Sequence, residues 1–75
     1  MNFDLELDAR GLSCPLPILR TKKALATLHS GQVLRVLATD PGSVADMAAF
    51  TEQTGHQLLS SSQEGGKYVF MIKKG

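Results

Sequence analysis

The sequence predicts a two-layer α/β unit whose elements run strand, helix, strand, helix, strand, strand. Three observations predict it. Apolar and charged residues alternate strictly near the amino end, two later segments carry apolar residues at helical spacing just after proline-bearing turns, and two strand-like runs flank a Gly-Gly pair.

Phe3, Leu5 and Leu7 alternate with Asp4, Glu6 and Asp8, the period of a strand with one buried face. Pro15 and Pro17 are tolerated only in a first helical turn, so a helix is expected from about Cys14. Ile18, Thr21, Leu25 and Leu28 then share one helical face, with Ser30-Gly31 as the expected stop. Leu34, Val36 and Ala38 alternate with Val33, Arg35 and Leu37 in a second strand that ends at Asp40-Pro41-Gly42. The second helix is expected to start with either Asp40 or Ser43 as its cap, and to present Val44, Met47, Ala48 and Phe50 on an apolar face up to Gly55. Gln57 to Ser62 and Lys67 to Lys73 flank Gln63-Glu64-Gly65-Gly66, a hairpin with a glycine-rich turn. Strand-helix-strand passages of this kind are right-handed crossovers between parallel strands, which places Cys14 and Asp40 at one end of the sheet.

With 75 residues there is room for one domain, residues 1–75, and none for a second catalytic one. Eight basic residues against seven acidic ones, with only one Tyr and three Phe, give little phosphate attraction or base stacking, so direct nucleic-acid binding is not expected. No apolar run approaches the ~20 residues needed to span a bilayer. The start, Met1 to Asp8, is acidic where a secretory signal is cationic and then apolar. The sequence therefore points to a cytoplasmic protein without membrane contact.

Cys14 is the sole cysteine, which excludes an internal disulfide, a Cys-x-x-Cys redox pair and a zinc site of paired thiolates. No cofactor or metal is expected. His29 lies fifteen positions beyond Cys14, ~20 Å away at ~1.5 Å per helical residue, and His56 follows the second helix at the far end. Neither histidine is placed to be its base. A thiolate at a helix start faces unpaired amides and the positive end of the peptide dipoles, so Cys14 is expected to ionise more readily than a free thiol. Pro15 would preset the first helical position, leaving the amides of Leu16 and Ile18 as local donors. Without a nearby histidine, second cysteine or clustered carboxylates, the site is a nucleophile that accepts and surrenders a group.

The run Leu7-Asp8-Ala9-Arg10-Gly11-Leu12-Ser13-Cys14-Pro15-Leu16-Pro17 resembles the signature of the TusA/SirA family of small sulfur carriers, in which a Cys-Pro-x-Pro motif opens the first helix. The likeness continues through Asp40-Pro41, Phe50 and the last strand, Tyr68 to Lys73. The resemblance implies a mixed four-stranded sheet of order 1-2-4-3, last strand antiparallel, with two helices on one face. It also implies that Cys14 receives sulfane sulfur as a persulfide from a cysteine desulfurase or rhodanese and passes it to an acceptor protein, in tRNA thiolation, molybdenum-cofactor synthesis or sulfur metabolism. A thiol redox switch or regulatory interaction module without sulfur transfer is the alternative.

Other residues take supporting roles. Gly11 is expected to make the tight turn from strand to helix, and Pro15 and Pro17 to stiffen the site. Arg10, Leu16, Arg20 and Lys23 are candidate partner contacts, with Lys22 beside them, although solvated charges in these places are commonplace. Asp8 and Asp40 read as turn or cap residues. Val33, Leu37, Val69 and Met71 fall on the sheet face that no helix covers, where they would form a modest exposed apolar patch.

Overall fold

The structure, a computed structural model, describes residues 2–75. It contains β1 (Leu5–Ala9), α1 (Leu16–Ala26), β2 (Val33–Ala38), α2 (Ser43–Thr54), β3 (Gln57–Glu64) and β4 (Lys67–Lys73). The strands form one sheet of order β1-β2-β4-β3. β1 and β2 are parallel, and β4 runs antiparallel between β2 and β3. β3 therefore points the same way as β1 and β2, as two successive crossovers require.

Register explains the core. Leu34 pairs with Ile72 and Val36 with Phe70, so these four side chains share a sheet face. Ala9, Ala38, Leu25 of α1 and Met47 of α2 join them in one buried cluster, which puts both helices on that face. Phe70 is the largest fully buried side chain.

The opposite face differs from the sequence expectation. Leu37 is 6% exposed, Val69 4% and Met71 5%, and Val33 is half-buried, so these four residues form no open apolar patch. Cross-strand neighbours cover them: Arg35 lies beside Met71 in register and beside Glu6 on the other side. Arg35 Nε stands 3.4 Å from Glu6 Oε2, an ion pair that lacks hydrogen-bond geometry, since the same nitrogen has no hydrogen-bond partner. The Arg35 guanidinium also lies 5.4 Å from the Phe3 ring centroid.

Three further expectations are corrected. Phe3 precedes β1 and is exposed, as is Leu5, because β1 is an edge strand with a neighbour on one side only; the buried residue of the strand is Ala9. α1 stops at Ala26 and not at Ser30-Gly31, because the Thr27 hydroxyl and amide both donate to the Ala24 carbonyl, at 2.7 and 3.1 Å, closing the last turn tightly. α2 has Gly42 at its cap with no side-chain cap bond, so neither Asp40 nor Ser43 plays that part. Its buried stripe is Ser43, Met47 and Thr51, while Val44 and Ala48 are exposed.

Two of the three buried hydroxyl residues in the helices satisfy themselves locally, while Ser43 Oγ has no hydrogen-bond partner. Thr21 donates to the Pro17 carbonyl at 2.8 Å and Thr51 to the Met47 carbonyl at 2.9 Å, so each buries a methyl group without an orphaned oxygen. The β3–β4 hairpin closes through Gly65 and Gly66, whose φ angles of 54° and 80° suit a two-residue turn between Glu64 and Lys67. β3 thus extends two residues beyond Ser62, and only the glycines form the turn.

Candidate functional site: the groove at Cys14

β1 delivers the chain to a turn closed by the Leu12 amide on the Ala9 carbonyl at 3.3 Å. Gly11 takes a left-handed φ of 80° there and donates its N–H to Thr39 Oγ1 at 2.9 Å, tying the loop to the end of β2. A Cβ at Gly11 would meet nothing within 4 Å, so the restriction on this position is conformational. Gly11→Ala should cost about 1–2 kcal/mol of stability, the left-handed penalty for a residue with a side chain, measured by urea unfolding.

A second turn presents the cysteine. The Leu16 amide donates to the Ser13 carbonyl at 2.9 Å, so Cys14 and Pro15 sit at the turn's apex, joined by a cis peptide bond. The first helical bond of α1 is Leu19 N–H to the Pro15 carbonyl, 3.1 Å. The helix therefore begins at Leu16, not at Cys14: Pro15 occupies the cap position and Pro17 the first turn. Because the Leu16 amide is engaged by Ser13, it is not available to the sulfur. Cys14 remains exposed and free.

The start of α1 and one face of α2 enclose a groove of about 290 Å³, lined by Cys14, Pro15, Ile18, Asp46, Ala49, Phe50 and Gln53. Asp46, Ala49, Phe50 and Gln53 recur at helical spacing, so one face of α2 is turned towards the cysteine turn. Asp46 reverses the expected electrostatics. The Asp46 carboxylate foremost, then desolvation and the negative charge of Asp40, raise the Cys14 pKa above its ordinary value. The sequence expectation of a readily ionised thiol counts the helix start and no carboxylates.

Arg10 does not offset those charges. Its Nε and NH2 groups each donate to Asp8 at 2.9 Å, and its backbone N–H donates to Asp8 Oδ1 at 3.1 Å. Those bonds and the neighbouring guanidinium bring the Asp8 pKa from 3.8 down to about 2. Because the folded value is depressed, the pair's contribution is complete above pH 3.8 and disappears as pH falls through about 2. Carbon-detected NMR titration of the Asp8 carboxyl should give that midpoint, against an ordinary one in Arg10→Gln.

The remaining candidate contacts lie elsewhere. Leu16, Arg20 and Lys23, with Leu19, Lys22 and Ala26, line a separate and larger concavity of about 570 Å³ along the outer face of α1. Leu19 is 53% exposed there and Leu16 41%. α1 contains no acidic residue. The structure thus brings Cys14 and Pro15 together with Asp46, but puts the basic residues on a neighbouring surface. Sequence reasoning passed over Asp46, Ala49 and Gln53 as site residues. The signal was available, because the crossover rule that put Asp40 beside Cys14 also brings the first turns of α2 there.

No helix among the described residues is long and apolar enough to cross a membrane. Comparison with known proteins agrees with the motif. The family described as Sulfurtransferase TusA matches residues 5–74. The sulfur carrier protein TusA of Allochromatium vinosum is 64% identical over 73 residues, covering 97% of this chain and 96% of that protein. The putative sulfur carrier protein YrkI of Bacillus subtilis is 51% identical over the full length of both chains. Among solved structures, a SirA-like protein from Desulfitobacterium hafniense superposes with a TM-score of 0.84 at 32% identity, covering 96% of this chain and 99% of that one. With the sheet order, the cysteine turn and this full-length similarity in agreement, the chain belongs to the TusA family.

Proposed function

We propose that this protein is a sulfur carrier in which Cys14 holds sulfane sulfur as a persulfide between a donor and an acceptor protein. The observation that carries the reading is the placement of a lone, exposed thiol at the apex of a turn braced by Ser13, Leu16 and Gly11. Such a thiol can enter a partner's active site, and with no second cysteine in the chain the persulfide has no internal thiol to resolve it. In loading, the Cys14 sulfur attacks the terminal sulfur of the donor persulfide, and the donor S–S bond breaks. The donor's own sulfur leaves as a thiolate and takes up the proton that Cys14 gave up. Delivery repeats the step with the acceptor's thiol as nucleophile and Cys14 as leaving group, so neither transfer needs an external oxidant.

The donor in this reading is a cysteine desulfurase or a rhodanese, and the acceptor a protein serving tRNA thiolation, molybdenum-cofactor synthesis or sulfur metabolism. A lone free thiol suits a reducing, cytoplasmic setting. The outer face of α1, apolar at Leu16 and Leu19 and basic at Arg20, Lys22 and Lys23, suits a partner surface with apolar and acidic groups. Arg10 is a weaker candidate because Asp8 already binds it.

Mass spectrometry tests the assignment. Incubation with a cysteine desulfurase and cysteine, or with a rhodanese and thiosulfate, should add ~32 Da to Cys14, removable by dithiothreitol. No adduct from either donor would refute the proposal.

A further inference from the structure

We infer that Asp46 is a positioning residue for sulfur transfer: from within the same groove, its carboxylate holds the empty Cys14 thiol in its neutral form and disfavours negative charge on the loaded sulfur, so that cargo is passed on. The effect on cargo rests on the carrier reading above; the hold on the thiol does not.

The geometry supplies the reasons. Asp46 is half-buried in the first turn of α2 and shares with Cys14 a groove whose other walls include Pro15, Ile18, Ala49 and Phe50. Apolar walls replace part of the solvent that would screen two charges in open water. A second carboxylate stands near that of Asp46, beside Gly42. Asp40 Oδ2 and Asp46 Oδ2 lie 3.3 and 4.0 Å from the point where a Cβ on Gly42 would stand. Neither takes part in an ion pair among the described residues. The cation on Cys14's own loop, Arg10, is held by Asp8, and Arg20, Lys22 and Lys23 line the other concavity. The charged groups that act on the sulfur are therefore Asp46 and Asp40, both anionic, in keeping with the raised thiol pKa.

One carboxylate thus acts on both states of the carrier. In the empty state its negative charge lowers the thiolate population, which guards an exposed cysteine against oxidants and stray electrophiles. In the loaded state the persulfide is the more acidic group, and its anion faces the same negative charge. Transfer to an acceptor's cysteine removes that repulsion, so the equilibrium leans towards delivery.

The test compares wild type, Asp46→Asn and Asp46→Glu. Iodoacetamide alkylation of Cys14 across a pH series reads the thiol directly. Asp46→Asn should move the profile to lower pH and raise the rate at neutral pH by roughly three- to tenfold, while Asp46→Glu should restore much of the wild-type profile. With a fixed ratio of persulfidated desulfurase to carrier, Asp46→Asn should also increase the loaded fraction at equilibrium by a comparable factor. An unchanged alkylation profile in folded Asp46→Asn would overturn the inference. If that variant does not fold, wild-type protein still decides it: added potassium chloride should screen the carboxylates and speed alkylation at constant pH, and an indifferent or slower rate would overturn the inference. A shifted alkylation profile with no persulfide on any variant would support the hold on the thiol and overturn both the effect on cargo and the carrier reading.

Discussion

Cys14→Ser should abolish sulfur transfer while leaving stability within about 0.5 kcal/mol of wild type, because the side chain is exposed and outside the core. The hydroxyl keeps the shape of the turn but forms no persulfide. The turn itself is held by main-chain groups, the Leu16 amide on the Ser13 carbonyl, which the substitution does not touch. Paired measurements are needed: transfer of labelled sulfur from desulfurase to an acceptor through the variant, and its urea unfolding midpoint. Residual transfer at the wild-type rate would show that sulfur bypasses Cys14. A loss of several kcal/mol would show that the cysteine is a structural residue.

Phe70→Ala should have the largest effect on folding. Phe70 is fully buried, pairs with Val36 in register and lies in the same cluster as Leu25 and Met47, so it joins the sheet to both helices. Truncation removes aromatic contacts and leaves a cavity that a small two-layer domain cannot close, costing about 3–5 kcal/mol. Domains of this kind typically have only about 5–15 kcal/mol to lose, so a substantial unfolded fraction is expected. Denaturant unfolding monitored by circular dichroism measures this. Phe70→Leu should lose distinctly less. Equal stability of Phe70→Ala and wild type would mean that the sheet and helices are held together elsewhere.

Local pattern and chain topology made most of the fold legible before any coordinates. The alternation in Val33 to Ala38, the Gly65-Gly66 turn and the left-handed Gly55 at the end of α2 each follow from one residue's conformational preference or one periodicity. The misread features depend on competition between neighbours. Thr27 ends α1 early because its hydroxyl reaches back to Ala24, a choice that spacing alone cannot register. Leu37, Val69 and Met71 are covered although no helix lies over them, because sheet neighbours such as Arg35 lie across that face.

The site divides in the same way. Cys14, Gly11 and Pro15 stand out in the sequence because residue type and order mark them. The sign of the electrostatics did not, since it depends on which side chains of α2 face the cysteine turn. Counting helix-start amides makes the sulfur anionic; the folded chain spends the Leu16 amide on Ser13 and brings Asp46 into the groove with the thiol. The consequence is a carrier whose empty thiol is restrained and whose cargo, in the proposed role, is released readily.

The most direct test of sulfur carriage is a loading and release experiment on isolated protein. Carrier is incubated with a cysteine desulfurase and sulfur-35 cysteine, separated from the donor, and then treated with cyanide, which removes sulfane sulfur as thiocyanate and leaves the Cys14 thiolate. About one labelled sulfur per chain should be recovered as thiocyanate from wild type, and none from Cys14→Ser. Label recovered equally from both proteins, or absent from wild type, would contradict the assignment of Cys14 as the atom that carries the cargo.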